Sequence, residues 1–172
     1  MYKFIITGPE SCGKTTSCLF IAKKLETTFV SEYARNFLTK LGRKYIQKDL
    51  LTIAKRQYSL EKKEVIKNNF MILDTDLLTI KLWSYYKFNS VDKWILDKID
   101  EQKKENRIYL LFKPDIEWVS DPLRENPNNR EDIFNLYEKE LKKLKLKYYI
   151  IEGSKRSSLA LKIIKSILKN KI

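Results

Sequence analysis

Gly8-Pro9-Glu10-Ser11-Cys12-Gly13-Lys14-Thr15 decides how the rest of the chain is read. It matches G-x-x-x-x-G-K-[ST], a pattern that chance places in well under about 1 % of chains this long. The spacing has a physical basis. Gly8 and Gly13 let backbone N–H groups turn inward around phosphate oxygens without a side chain in the way. The helix that follows adds its positive N-terminal end. Lys14 is placed to reach the outer phosphates and the Thr15 hydroxyl to ligate Mg²⁺. Glu10, Ser11, Cys12 and Thr16 complete the stretch expected to surround the phosphates. The expected ligand is a nucleoside triphosphate, ATP with Mg²⁺.

Reading outward, Tyr2–Thr7 is a short buried strand before the loop, and Lys14 to about Leu25 is a helix with Leu19, Phe20, Ala22 and Leu25 available for its buried face. Thr28–Ser31 reads as a second strand, Phe70–Leu73 as a third, Ile108–Phe112 as a fourth and Tyr148–Ile151 as a fifth. The continuous apolar runs among them are those of strands covered on both faces. Helices are expected over 49–67, 77–86, 91–105, 131–143 and 157–169. Strands alternating with helices predict an α/β fold, a P-loop NTPase with a five-stranded parallel sheet, helices on both faces and a lid segment. The chain is read as one domain, 1–172, with the lid at about 116–130.

Ligands of such sheets bind beyond the carboxyl ends of the strands. Asp74 stands there after an apolar strand, in the position of a metal-binding Asp. Either Asp74 or Asp76 could instead cap the helix beginning at Leu77. Glu32 closes the second strand. A carboxylate there can accept a proton from a hydroxyl attacking a phosphoryl group, or pair on the surface with Arg35. The irregular segment 116–129 contains Pro122, Pro127 and Arg124, with Arg130 just beyond it. A mobile lid of this kind can exclude water and deliver arginines to transferring phosphate; solvated arginines on a surface loop are the plainer reading.

The composition narrows the class. Hydrophobic residues make up 43 %, enough for a core. The net charge is +13, but the 35 basic residues are mostly lysines scattered along the chain. With no compact basic block, solvated helix faces account for the charge better than a nucleic-acid surface. The two cysteines, Cys12 and Cys18, form no metal or disulfide pattern, and there is no histidine. That fits a reducing, cytoplasmic setting with no membrane association.

Four stretches then carry a family likeness. They are Gly8 to Thr15, Glu32-Tyr33-Ala34-Arg35, Asp74-Thr75-Asp76-Leu77-Leu78-Thr79-Ile80-Lys81-Leu82-Trp83-Ser84, and Pro114-Asp115-Ile116-Glu117-Trp118-Val119-Ser120-Asp121-Pro122-Leu123-Arg124. In order and spacing the chain resembles the ribosylnicotinamide kinase domain of NadR-type proteins. The resemblance implies ATP-dependent phosphorylation of the 5′-hydroxyl of nicotinamide riboside. It implies Lys14, Glu32, Asp74, Arg124 and Arg130 in catalysis, Thr15 and Asp74 at the metal, and Arg156 near adenine. Glu32, Tyr33, Arg35, Asp74, Asp76, Trp83, Tyr86 and Trp118 are the implied acceptor-site residues. The nicotinamide ring of the riboside is a cation, and each aromatic face on it contributes about 0.5–2 kcal/mol. The same aromatics could equally be core. Cys12 stands where such loops more usually have a small residue. No H-x-G-H adenylyltransferase motif is present, so a stand-alone kinase domain is expected. A kinase for another nucleoside or metabolite, and an ATP-dependent regulatory module, remain open alternatives.

Overall fold

The structure, a computed structural model, describes residues 1–63 and 69–169. In chain order the elements are β1 Tyr2–Thr7, α1 Lys14–Lys24, α2 Tyr33–Leu41, α3 Gln47–Lys63, β2 Phe70–Asp74, α4 Leu77–Phe88, α5 Lys93–Gln102, β3 Asn106–Phe112, α6 Arg130–Lys143, β4 Lys147–Ile151 and α7 Arg156–Lys169. The helix expected from Asp49 to about Lys67 is described only as far as Lys63; the rest of that stretch lies outside the described residues.

The strands form a parallel sheet in the order β2-β1-β3-β4. Alternate side chains go to opposite faces, and the core divides accordingly. Phe4, Ile6, Ile108, Leu110 and Phe112 pack with Cys18 and Ile21 of α1 and with Ala160 and Ile164 of α7. Ile5, Leu73, Tyr109 and Leu111 pack on the other face with Leu78 of α4 and Ile133, Phe134, Tyr137 and Leu141 of α6. Each fully buried Ile, Leu or Phe contributes about 1.5–3 kcal/mol. A separate cluster of Leu50, Ile53, Leu77, Ile80, Ile95 and Ile99 joins α3, α4 and α5 beside the sheet.

Two expectations are corrected. Of the residues expected on the buried face of α1, Ala22 is buried and Phe20 and Leu25 are partly so, but Leu19 is 58 % exposed, and Cys18 and Ile21 take the central core positions. The anticipated strand at Thr28–Ser31 contracts to a single parallel bridge of Val30 with Leu73, so the sheet has four strands among the described residues. Val30 makes both ladder bonds, donating to Ile72 O and accepting from Asp74 N, each at 2.9 Å. Its neighbours are drawn elsewhere. Thr27 N donates to Ala22 O at the end of α1. Gln57 takes both Ser31 O and Tyr33 N, which turns the chain into α2. That helix occupies a stretch to which the sequence patterns assign no element.

Because β1 is flanked by β2 on one side and β3 on the other, consecutive connections leave in opposite directions at its carboxyl end. The crevice so opened is where parallel α/β sheets bind ligands, and the Gly8–Thr15 loop lies in it.

Candidate active site

The loop between β1 and α1 is built on two glycines with positive φ. Gly8 has φ 136°, and a Cβ there would lie 2.5 Å from the Phe112 carbonyl oxygen, so no other residue fits against β3. Gly13 has φ 83° and precedes α1 without a side-chain cap. The first N–H groups of α1 are therefore left for an anion. Lys14 folds over the loop, its Nζ donating to Gly8 O at 2.9 Å and Pro9 O at 2.6 Å. Burial disfavours its ammonium, but the ionisable groups crowded around it, Cys12, Tyr137, Glu32 and Asp74, outweigh this and raise its pKa. It stays charged. Cys12 is buried beneath the loop with its Sγ on Pro9 O, and burial raises its thiol pKa.

Asp74 is 1 % exposed at the end of β2. Its Oδ2 accepts the Thr15 hydroxyl at 2.6 Å, whereas its Oδ1 is buried with no hydrogen-bond partner. Burial raises its pKa against the Thr15 bond and the charges of Lys14 and Arg35. A hydroxyl and a half-satisfied carboxylate side by side fit Mg²⁺, which binds through one or two protein oxygens together with phosphates and water. The described residues include no cluster of three or more acidic, His or Cys side chains that would form an all-protein metal cage.

The loop opens into a cavity of about 200 Å³ lined by Gly8, Glu10 to Thr16, Glu32, Ala34, Arg35, Leu38, Tyr45, Leu50, Ile53, Gln57, Thr75, Thr79, Ile80, Trp83, Leu123 to Glu125 and Tyr137. Its lining combines the Gly8–Thr16 loop with aliphatic and aromatic side chains of α2, α3 and α4. Glu32 also lines it, near enough to Lys14, Asp74 and Arg35 to feel their charges. It begins α2 without capping it, and burial beside Asp74 raises its pKa although Lys14 and Arg35 pull it down. Gln57 fixes the backbone on both sides of Glu32, accepting from Tyr33 N at 2.8 Å and donating to Ser31 O at 3.3 Å.

Of the residues singled out from the sequence, the structure brings Glu10 to Thr16, Glu32, Arg35, Trp83 and Arg124 to this cavity. Asp74 lies just behind Thr15. Asp76 does not reach it. Its Oδ1 caps α4 by accepting Leu78 N, and its Oδ2 accepts Arg107 and Tyr109. Tyr33 packs on Phe37, with the Arg56 guanidinium over its ring, because the Gln57 bond turns it toward α3. Tyr86 packs edge-on against the outer side of Trp83, where its hydroxyl receives Asn129 Nδ2. Arg156 is buried behind the loop, where it donates to Cys12 O, Lys113 O and Gly153 O and pairs with Asp115. It clamps the loop to the ends of β3 and β4.

The segment from 113 to 129 has no helix or strand, and it is seated on the loop. The Glu10 carboxylate accepts Glu125 N and Asn126 N, both at 3.1 Å. Ser11 Oγ accepts Val119 N at 3.0 Å and Arg124 Nη1 at 3.3 Å. Arg130 donates to Ser11 O and Ile116 O. Both lid arginines lie over the Trp118 ring, at 6.0 and 5.5 Å, which keeps that ring with the lid and out of the cavity. Arg35 reaches the lid from α2 through Asp121 at 2.9 Å, so it pairs there and not with Glu32.

Sequence reasoning missed Thr75, Thr79, Tyr45, Gln57 and Tyr137. Thr75 has φ 64°, a strained conformation for a β-branched residue, and faces the cavity with its N–H on Ile6 O. Thr75 and Thr79 stand inside the 74–84 stretch, so that motif was their signal. The others had none, because their partners are remote in sequence.

A family model described as an AAA domain matches residues 3–157. No protein of curated function matches the chain in sequence. Among solved structures, the chain is similar to a NadR protein in complex with NR, with a TM-score of 0.78 at 19 % identity over 96 % of this chain and 51 % of that one. A NadR protein in complex with NAD and AMP-PNP gives 0.69 at 17 %, over 96 % and 49 %. Deoxyadenosine kinase from M. mycoides, with its products bound, gives 0.60 at 17 %, over 99 % and 100 %. At these identities the likeness is one of fold. The chain spans about half the length of the NadR proteins it resembles.

Proposed function

The chain belongs to this AAA-domain family, and on that premise we propose that it is an ATP-dependent kinase that phosphorylates the 5′-hydroxyl of nicotinamide riboside. One observation carries the reading. A single cavity is lined by the Gly8–Thr16 loop, by apolar and aromatic side chains of α2, α3 and α4, and by Glu32, which lies near Lys14 and Asp74. A switch that only binds and releases nucleotide has no use for that apolar lining or for an acid beside it.

In this reading the loop N–H groups and Lys14 hold the triphosphate, the Lys14 ammonium exchanging the Gly8 and Pro9 carbonyls for phosphate oxygens. Thr15 and Asp74 would hold Mg²⁺, whose charge, when bound, neutralises the phosphates during transfer. Glu32 takes the proton of the acceptor hydroxyl as that oxygen attacks the terminal phosphorus, and the bond from that phosphorus to the bridging oxygen breaks, so ADP leaves with the electron pair. Its raised pKa, caused by burial and the nearby Asp74 carboxylate, makes it a stronger base than an ordinary glutamate. Arg124 stands at the cavity beneath the lid, which excludes the water that would otherwise compete with the acceptor.

The identity of the acceptor rests on the 32–35, 74–84 and 114–124 stretches, on the similarity of fold to NadR bound to NR, and on Trp83 in the cavity wall. A cationic ring against that indole would gain cation–π attraction. The test is direct. Incubation with ATP, Mg²⁺ and a panel of nucleosides is expected to give the mononucleotide of nicotinamide riboside and acceptor-dependent ADP. Turnover of a deoxynucleoside with none of the riboside would replace the acceptor. No acceptor-dependent ADP at all would reject the kinase.

A further inference from the structure

Tyr137 is a core residue by every local measure. It lies on α6 between Phe134 and Leu141, all three packed against β3 in one cluster, and it is 1 % exposed. A phenylalanine would make the same apolar contacts. What distinguishes it is its hydroxyl, which is buried without a hydrogen-bond partner. The nearby Thr79 hydroxyl acts weakly on the phenol, but it is engaged with Thr7 Oγ1 at 3.2 Å and gives Tyr137 no hydrogen bond of normal geometry. A buried, unpaired hydroxyl costs stability unless something else satisfies it.

Tyr137 also lines the cavity that holds Lys14 and Glu32. Its side chain therefore forms part of the cavity wall, with the hydroxyl just beneath the surface and close enough to Lys14 and Glu32 for their charges to act on it. We propose that the Tyr137 hydroxyl donates a hydrogen bond to an oxygen of the terminal phosphate of the bound nucleoside triphosphate, and so distinguishes triphosphate from diphosphate. Burial pushes the phenol pKa up to about 12 while Lys14 pulls it down, so it is protonated, and a donor, at neutral pH. A neutral donor there adds to Lys14 without a second positive charge to desolvate. The inference rests on the nucleotide-binding half of the proposed function and not on the identity of the acceptor.

The experiment uses the whole chain without acceptor. Affinities of Mg²⁺ with AMP-PNP and with ADP are measured by calorimetry for the wild type and Tyr137→Phe. The variant is expected to bind AMP-PNP about tenfold more weakly and ADP within about twofold of wild type, with an unchanged or higher Tm. Equal loss for both nucleotides, or loss for neither, would overturn the proposal. So would a fall in Tm of several degrees, which would mean the hydroxyl is already satisfied in the free protein. In wild-type protein carrying ¹³Cζ-tyrosine, the resonance missing from Tyr137→Phe should shift with AMP-PNP and not with ADP; a resonance that ignores AMP-PNP also overturns it. A wild type that binds neither nucleotide removes the nucleotide reading along with this one, whereas inactivity toward nicotinamide riboside leaves both standing.

Discussion

Asp74 and Asp76 are close in sequence, equally buried at 1 % exposure, and opposite in circumstance. Asp76 belongs to a closed ionic cluster. It caps α4 and accepts Arg107 at 3.0 Å and Tyr109 at 2.8 Å; Arg107 continues to Glu61 at 2.7 Å and Glu105 at 2.8 Å, and Lys3 joins the same two glutamates at 2.6 Å each. Asp74 has one oxygen on Thr15 and one on nothing. Within low-dielectric surroundings a fully engaged carboxylate is a strut, and a half-engaged one is a site awaiting a ligand. The difference lies in which donors the fold brings near, not in the residue type.

The contrast can be broken by giving both positions the same substitution. Asp76→Ala should lower unfolding free energy by about 3 kcal/mol, because it removes a helix cap and leaves Arg107 and Tyr109 short of an acceptor. Burial raises the pKa of both, so the difference is one of bonding: Asp74→Ala removes only the acceptor of the Thr15 hydroxyl and should cost under about 1 kcal/mol, while phosphoryl transfer falls by about 10² or more. Denaturant unfolding and a transfer assay on both variants check this. Similar stability losses would erase the distinction.

Glu32 sharpens the comparison on the cavity side. Glu32→Gln should retain ATP binding and lose transfer by about 10², or about 2.7 kcal/mol of barrier. In the wild type, kcat/KM should rise with pH through the Glu32 pKa, which lies above the ordinary value of 4.5. The base must lose its proton to act, so the acidic limb moves upward and should disappear in the variant. Near-normal turnover of the variant would remove Glu32 from the role.

The smallest effect tests the closed cluster. Lys3 and Arg107 overcome burial and hold the Glu105 carboxyl at about 2. Its folded pKa is below its unfolded one, so its stabilisation is present above about pH 4.5 and is lost as pH falls toward 2. Glu105 is partly solvent-screened, so the contribution is on the order of 1 kcal/mol. Glu105→Gln should therefore lose less stability than wild type between pH 6 and pH 3, followed by thermal unfolding at about those values. An identical acid profile would place the acid sensitivity elsewhere, with Glu61 next.

Much of the architecture is legible in short stretches. The apolar runs at Phe4, Ile72 and Leu110 read as strands because burial on both faces leaves nothing polar to interrupt them. The Val30 run has the same local signature and forms only a bridge, because Gln57, far along the chain, captures the backbone on either side of Glu32. Helix α2 was illegible for a related reason. Its Tyr33, Ala34, Phe37 and Leu38 do recur at helical spacing against the α3 cluster, but the helix is only nine residues long and buries none of them fully, so the stripe is short and weak beside those of the longer helices. The aromatics divide likewise: Trp83 reaches the cavity, while Trp118 is held beneath the lid arginines and Tyr33 is turned toward α3.

By itself the sequence determined the phosphate loop, the alternation of strands and helices and the position of an irregular segment after β3. Each of these depends on residues adjacent in the chain: glycines that alone adopt the loop's backbone angles, a lysine and threonine at fixed offsets, apolar runs of strand length. Only the tertiary structure decided that Asp74 keeps a free oxygen while Asp76 does not, that Arg156 clamps the loop from behind, and that a tyrosine in the cavity wall buries its hydroxyl without a partner. Those outcomes depend on partners from distant strands and helices. Burial and the nearest available donor, not residue type or spacing, settle whether a polar atom is satisfied.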